Sequence, residues 1–355
     1  MTDTWLPRNP SFHSIGQDEP QAVDGKGVGS GMVTIKDIAK LAGVSYSTVS
    51  KALNNDPLIK PATRQKVLEI AEKYQYRKNI MAQQLSSGKS NIIGFVLDEL
   101  SNPLFSNISK NLHRELKSRG YQMILVIAGD GVDIFSQLRV DGCIFWEYML
   151  DDREAFWKLV SSMPMPCFVL GADENPNSPY IKIDRKEGIF KAVEHLKAHG
   201  HERIGFIGNS QNIKIEGYKE ALQRTGLEFC QGSVLPAYSS WEDGYFAVRN
   251  YTFTSSSPTA FIGLNNLVTR GALRAFIEAG FQVPQDISLI GYDDLPDMQY
   301  AEVALTTIGP PLGELAVQAA ELIVALIRGE DAKYPVVIQP QLYLRNSVAI
   351  CKERI

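Results

Sequence analysis

Between residues 92 and 290 short apolar runs recur, at 92–97, 123–127, 143–145, 167–170, 204–207 and 287–290, and only the last, at Ser288, contains a polar residue. Runs that are apolar on both faces, with amphipathic helical stretches between them, characterise parallel strands covered by helices on each side. About eight to ten such strands over roughly 250 residues exceed one doubly wound sheet, which predicts two α/β lobes. No repeat of solenoid period is visible.

Ahead of residue 91 the texture is different, and residues 32–76 read as three short helices. Thr34 is placed to cap the first, Ile35–Ala42, with Asp37 at capping-box spacing. Ile35, Ile38, Ala39 and Ala42 share one face by their spacing. Gly43 breaks this helix and Ser45 caps the next, Tyr46–Leu53, whose inner side is Val49, Ala52 and Leu53. Asn54-Asn55-Asp56-Pro57 is loop chemistry, Pro61 suits a first helical turn, and Val67, Leu68, Ile70 and Ala71 form the third apolar face. Residues 77–90 are a polar connector with a short helical candidate at 79–86.

Charge sets this small module apart. Residues 32–90 carry ten Lys/Arg against four Asp/Glu, a local +6, and residues 1–31 carry two against four. A chain of net charge −4 is then left with −8 on everything after residue 90. A basic module on an acidic body directs phosphate to the module alone. Residues 1–31 are polar and rich in Gly, Pro, Ser and Asp, and read as a disordered leader or tag, with Met32 fitting a native start. They lack the basic start and apolar run of a secretory signal, and no long apolar stretch suggests a membrane span. The expected setting is cytoplasmic, with Cys143, Cys167, Cys230 and Cys351 as reduced thiols.

Two short helices joined by a glycine turn form a helix-turn-helix, whose second helix fits the DNA major groove. Tyr46, Ser47 and Lys51 fall on its exposed face, with Thr48 beside them. A lysine can donate to guanine O6 or N7, a serine to almost any base, and a tyrosine can pack on a thymine methyl. Thr34, Ser50, Asn54 and Arg64 are placed as phosphate anchors, which set register without reading sequence.

At this point the chain resembles the lactose/galactose repressor (LacI/GalR) family from Met32 to about Ala349. The resemblance rests on residues 34–54, Arg139-Val140-Asp141-Gly142, residues 195–208 (His195 to Gly208), residues 283–294 (Val283 to Asp294) and Leu305-Thr306-Thr307-Ile308. It implies an α plus α/β protein: a three-helix helix-turn-helix headpiece with a hinge helix, then a two-lobed periplasmic-binding-protein-like core. The divisions expected are 1–31 leader, 32–78 headpiece, 79–90 hinge helix and linker, and 91–355 core. Within the core the N-lobe would take 91–184 plus 309–330, and the C-lobe 185–308 plus 331–350.

The resemblance further implies a homodimer on double-stranded, pseudo-palindromic operator DNA. Its hinge helix would contact DNA through Asn79, Ala82 and Leu85, with Leu85 wedged between base pairs from the minor groove. Where the family often has proline before the hinge asparagine, this chain has Lys78. A small-molecule effector would lie between the lobes, held by Phe105, Trp146, Lys214, Trp241, Asn266 and Asp293, with Trp241 in a loop. Aromatic faces with a few convergent polar groups suit a sugar, a sugar phosphate or a nucleobase, the sugar-like ligand ahead. Lys214 stands where the family usually has arginine and Asn266 where aspartate is common, so the ligand held should differ. The link from Asp130 to Arg139 is shorter than the family's helix. No leucine heptads follow Ala349, which argues against a coiled-coil tetramer. No cofactor is implied, and the sign of the effector's action stays open.

Two other readings compete. An enzyme would need chemistry that is missing: there is no P-loop, no Gly-x-Ser-x-Gly elbow and no paired carboxylates in a recognisable setting. His195, His199 and His201 invite a metal, but no cysteine or carboxylate partner accompanies them. A solute-binding protein of the periplasmic-binding type would explain the core but not the basic headpiece.

Overall fold

The computed structural model describes residues 33–76, 89–128, 132–147, 153–174, 178–209 and 212–351. The leader, Lys78, the hinge positions Asn79, Ala82 and Leu85, and Asp130 lie outside the described residues. The chain divides into one unit up to Gln83 and a second from Gln84 onward.

The first unit holds α1 (Ile35–Ala42), α2 (Tyr46–Leu53) and α3 (Pro61–Lys73), packed around buried Ile38, Ala42, Val49, Ala52 and Val67. Asp37 Oδ2 accepts from the Thr34 backbone N–H at 2.9 Å and from its hydroxyl at 2.7 Å. Gly43 ends α1 at φ 67°, a left-handed conformation that glycine adopts without penalty, and Val44 N–H returns to Ala39 O. Ser45 Oγ accepts from Thr48 N–H at 3.1 Å and so starts α2. Leu68 corrects the expected face of α3. It is exposed, because Val67, Ile70 and Ala71 at i, i+3 and i+4 already fill the inner side and Leu68 lies about 100° round the helix.

The second unit is two sheets. The first has the order β11-β5-β4-β3-β1-β2, made of β1 (Ile92–Leu97), β2 (Gln122–Ile127), β3 (Gly142–Trp146), β4 (Cys167–Leu170), β5 (Tyr180–Ile183) and β11 (Val336–Ile338). The second runs β12-β10-β9-β8-β6-β7, with β6 (Ile204–Ile207), β7 (Val234–Leu235), β8 (Ala260–Gly263), β9 (Ser288–Tyr292), β10 (Thr306–Gly309) and β12 (Gln341–Tyr343). All pairings are parallel except β10 with β12. Central strands such as β3, β6, β8 and β9 are buried along their whole length, as coverage by helices on both faces requires.

Helices α4 (Pro103–Ser118), α5 (Asp133–Leu138), α6 (Arg153–Ser162) and α12 (Leu312–Arg328) follow or flank the first sheet. Helices α7 (Arg185–Ala198), α8 (Ile213–Thr225), α9 (Trp241–Arg249), α10 (Asn266–Glu278) and the short α11 (Pro296–Gln299) belong with the second. The chain crosses between lobes after β5, after β10 and again after β11. That last crossing moves the expected boundary. Residues 331–350 do not all fall in the C-lobe, because β11 pairs with β5 through Val336↔Ile181 to Ile338↔Ile183 in the first sheet. Where the core begins, Asp141 accepts from Ser90 N–H (2.7 Å), Ser90 Oγ (2.8 Å) and Asn91 N–H (2.9 Å), which anchors the chain as it enters β1.

Candidate nucleic-acid interface and effector cleft

In the headpiece, Val49 and Ala52 bury one side of α2 while Tyr46, Ser47 and Lys51 stand exposed on the other. The 3.6-residue period makes this outcome unavoidable once the inner pair is fixed. Thr48 and Ser50 are half-buried at the flanks, and Asn54 caps the C-terminus of α2. Ser45 Oγ lies 2.8 Å from both Ser47 Oγ and Thr48 Oγ1, so these hydroxyls form one shared network at the helix start. A concave surface of about 460 Å³ adjoins it, lined by Lys36, Lys40, Gly43, Ser45 and Tyr46 among others. Two lysines beside a helix N-terminus make this spot attractive to an anion. Lys36 and Lys40 are not among the residues expected from the sequence, although their four-residue spacing on the exposed face of α1 could have marked them as candidates.

Two expected phosphate anchors are otherwise engaged. Thr34 donates its hydroxyl to Asp37, and these hydrogen bonds hold the Asp37 carboxyl below its usual range, so a negative charge sits where a phosphate was expected. Arg64 Nη2 donates to Asp56 O at 2.7 Å, and its buried Nε has no hydrogen-bond partner among the described residues. Arg64 therefore clamps the turn between α2 and α3.

In the core, Phe105 and Trp146 come together. Their rings meet edge to face, 5.6 Å apart at 83°, and both are buried. Phe105 lies in the first turn of α4, which Asn102 caps by accepting from Leu104 N–H at 2.9 Å. Asn266, the first residue of α10 in the other lobe, donates Nδ2 to the same Asn102 Oδ1 at 2.9 Å. Lys214, in the first turn of α8, is buried; its Nζ donates to Leu264 O at 2.7 Å and lies 3.7 Å from the centroid of the Tyr292 ring. Burial lowers the Lys214 ammonium to about 8, opposed by the nearby Asp293 and Asp173 carboxylates and reinforced by Arg185. Asp293 follows β9 at φ +70° and is buried, and Gly309 provides the clearance: a Cβ there would meet Asp293 Cα at 2.9 Å. It does not cap α11, whose N-cap is Leu295.

Trp241 is placed differently from expectation. It opens α9 behind the Ser240 cap, on a helix, and its ring stacks on Tyr245 at 5.2 Å and 12°. Of the expected cleft residues, the structure thus joins Phe105 with Trp146 and puts Lys214 within electrostatic reach of Asp293. Sequence reading passed over Arg185 and Asp173, which meet at 3.2 Å where the chain crosses lobes. A lone arginine at a helix start carries no signal until the crossing is known.

Among the described residues no group of three or more His, Cys, Asp or Glu is arranged to hold a metal. His201 is instead a buried tie: Nδ1 lies 2.8 Å from Thr259 Oγ1, and Nε2 lies 3.0 Å from Ser288 Oγ and 3.1 Å from Ala349 O. His195 and His199 pack their rings 4.3 Å apart. Among the described residues no helix is long and apolar enough to cross a membrane.

Known proteins share this arrangement. Residues 34–79 match the family described as bacterial regulatory proteins, lacI family, and residues 193–348 match the periplasmic binding protein-like domain. The probable HTH-type transcriptional repressor ExuR of Bacillus subtilis (strain 168) is 32% identical over 330 residues, spanning 89% of this chain and 98% of that protein. The Lac repressor dimer bound to operator and the anti-inducer ONPF aligns with a TM-score of 0.78 at 27% identity, over 90% of this chain and 100% of that one. A LacI family transcriptional regulator from Enterococcus faecium with bound ribose aligns at 0.66 and 26% identity, over 74% and 100%. The chain belongs to the LacI family of bacterial regulatory proteins, as a transcription regulator with a helix-turn-helix headpiece and a two-lobed periplasmic-binding-like core.

Proposed function

We propose that the chain is a repressor that binds a pseudo-palindromic operator as a homodimer, and that a small molecule between the core lobes sets its affinity. The observation that carries the DNA half is the exposure of Tyr46, Ser47 and Lys51 along one side of α2. These three read base edges in the major groove, with Thr48 at the margin. Ser50 and Asn54 contact phosphates, and Lys36 and Lys40 join them in place of Thr34 and Arg64. Asn79, Ala82 and Leu85 act in the hinge, with Leu85 as the minor-groove wedge. A solute-binding role leaves the headpiece unexplained.

For the effector, Phe105, Trp146, Lys214, Asn266 and Asp293 line the site and Trp241 stands at its margin. The perpendicular Phe105–Trp146 pair favours a sugar-like ligand over a nucleobase. It offers one flat face to a ring's C–H bonds, whereas a planar base is best held between two parallel faces. Ligand-dependent closure changes the placement of the two hinge segments, and a coupling of about 1–3 kcal/mol suffices to switch occupancy. Footprinting of genomic fragments with the full chain tests this. The expected result is a two-fold symmetric protected stretch whose occupancy changes roughly 5-fold or more with the right ligand. No protected palindrome under any ligand condition contradicts it.

A further inference from the structure

The chain enters the second lobe at Arg185, and this side chain turns back to the lobe just left. Its Nη1 donates to Gly171 O at 2.7 Å and lies 3.2 Å from Asp173 Oδ1. Both acceptors follow β4 of the first sheet. Gly171 has φ +88°, and a Cβ there would stand 3.2 Å from Arg185 Nη2 and 3.9 Å from Trp146 Cε2. The missing side chain therefore lets the guanidinium rise to the level of the indole edge. Nη2, which makes neither of the Nη1 bonds, borders the same spot as the Trp146 indole. Because the guanidinium is planar, fixing Nη1 also fixes the direction of Nη2 before any ligand arrives.

A second cation is close. Lys214 is buried at the start of α8, near enough to Arg185 for the guanidinium to disfavour its charged form. Asp293 and Asp173 act the other way and favour the charged form of Lys214. A ligand group with negative charge near the two cations would be attracted to both.

Resting on the effector-sensing reading above, we propose that Arg185 Nη2, beside Gly171 and Trp146, is the subsite for an anionic group, a carboxylate or a phosphate, on a hydroxylated effector. Arg185 selects for charge, and the aromatic wall takes the ring. As a mere strut between lobes, Arg185 would affect all ligands alike.

The test is calorimetric titration of the full chain with sugar acids (D-glucuronate, D-galacturonate, D-gluconate), D-glucose 6-phosphate, and the neutral sugars D-glucose, D-galactose and D-ribose. Binding by at least one anionic probe, with its neutral counterpart weaker, is expected; the carboxylate and phosphate arms say which anion it is. In Arg185→Gln the anionic probe should lose on the order of 10- to 100-fold in affinity while the neutral counterpart changes little. The ratio of the two within one preparation does not depend on how much of the variant is folded. Binding of neutral sugars alone, or an equal loss for both classes in the variant, overturns the subsite and leaves effector sensing intact. Binding by no probe of either class counts against sensing itself and removes the subsite with it.

Discussion

Asn266 Nδ2 donates to Asn102 Oδ1 over 2.9 Å, and both side chains are buried. One residue opens α10 in the second lobe and the other caps α4 in the first, so this amide pair links the lobes. Leu104 N–H also donates to Asn102 Oδ1, which fixes the oxygen toward Asn266. Asn266→Asp sets a carboxylate against that oxygen, two acceptors with no proton between them. The expected loss is about 1–3 kcal/mol, read as a fall of several degrees in the Tm of the full chain. Effector affinity should fall with it, because the closed arrangement is less populated. An unchanged Tm would mean that the pair contributes nothing to closure.

Lys214 makes stability depend on pH in a defined direction. Burial holds it at about 8 in the folded chain against an ordinary 10.5. Below pH 8 both states are protonated and the folded one bears the whole penalty of a buried ammonium. Between pH 8 and 10.5 only the unfolded chain holds the proton, so stability at this position rises with pH. Lys214→Met has no such term. The variant's stability relative to the native chain should therefore drop by up to about 3 kcal/mol across that window, measured by denaturant unfolding at each pH. A difference that stays flat with pH would place the ammonium in water.

The lobed core was legible because strands buried on both faces leave continuous apolar runs, as β1, β3, β4, β6 and β9 do. Strands at the lobe crossings were not. β5 carries Lys182 between Ile181 and Ile183, and β11 and β12 are three residues each, too short for a pattern. The same limit hid the return of β11 to the first sheet. In the headpiece, helical period alone exposed Tyr46, Ser47 and Lys51. It could not show that Thr34 is held by Asp37 or that Arg64 reaches back to Asp56, because a side chain's partner across a turn depends on loop geometry. Arg185 shows the same limit in the core: its neighbours Gly171 and Asp173 precede it by more than ten residues and meet it only where two sheets exchange the chain.

Tyr292 is a fully buried phenol whose hydroxyl has no hydrogen-bond partner among the described residues, and burial pushes its ionisation upward. A buried donor without a partner carries a desolvation cost of about 1–3 kcal/mol. Tyr292→Phe keeps the ring beneath Lys214 Nζ and removes the hydroxyl, so the unliganded chain should gain stability, on the order of 1 kcal/mol. Thermal unfolding without ligand checks this. A loss of the same size would show that the hydroxyl is satisfied in solution.

Arg64 ties α3 to the turn after α2 through its 2.7 Å bond to Asp56 O. Arg64→Met retains much of the stem's packing and loses a hydrogen bond from a charged donor, at a cost of about 1.5–3 kcal/mol to the headpiece. Amide exchange over residues 54–59 should speed up by one order of magnitude or more, since each 1.4 kcal/mol is tenfold. If Arg64 instead held a phosphate, exchange without DNA would be unaffected and only operator affinity would fall.

The most direct measurement is selection of binding sites from a random duplex library by the native chain and by Ser47→Ala and Lys51→Ala, at about 100 mM salt. The native chain should recover a pseudo-palindromic consensus. Each variant should relax the base at one symmetric pair of positions, with Lys51→Ala losing about 1–3 kcal/mol on the native site. Recovery of an unpatterned pool by the native chain, or of one identical consensus by all three proteins, would contradict the assignment of base reading to the exposed side of α2.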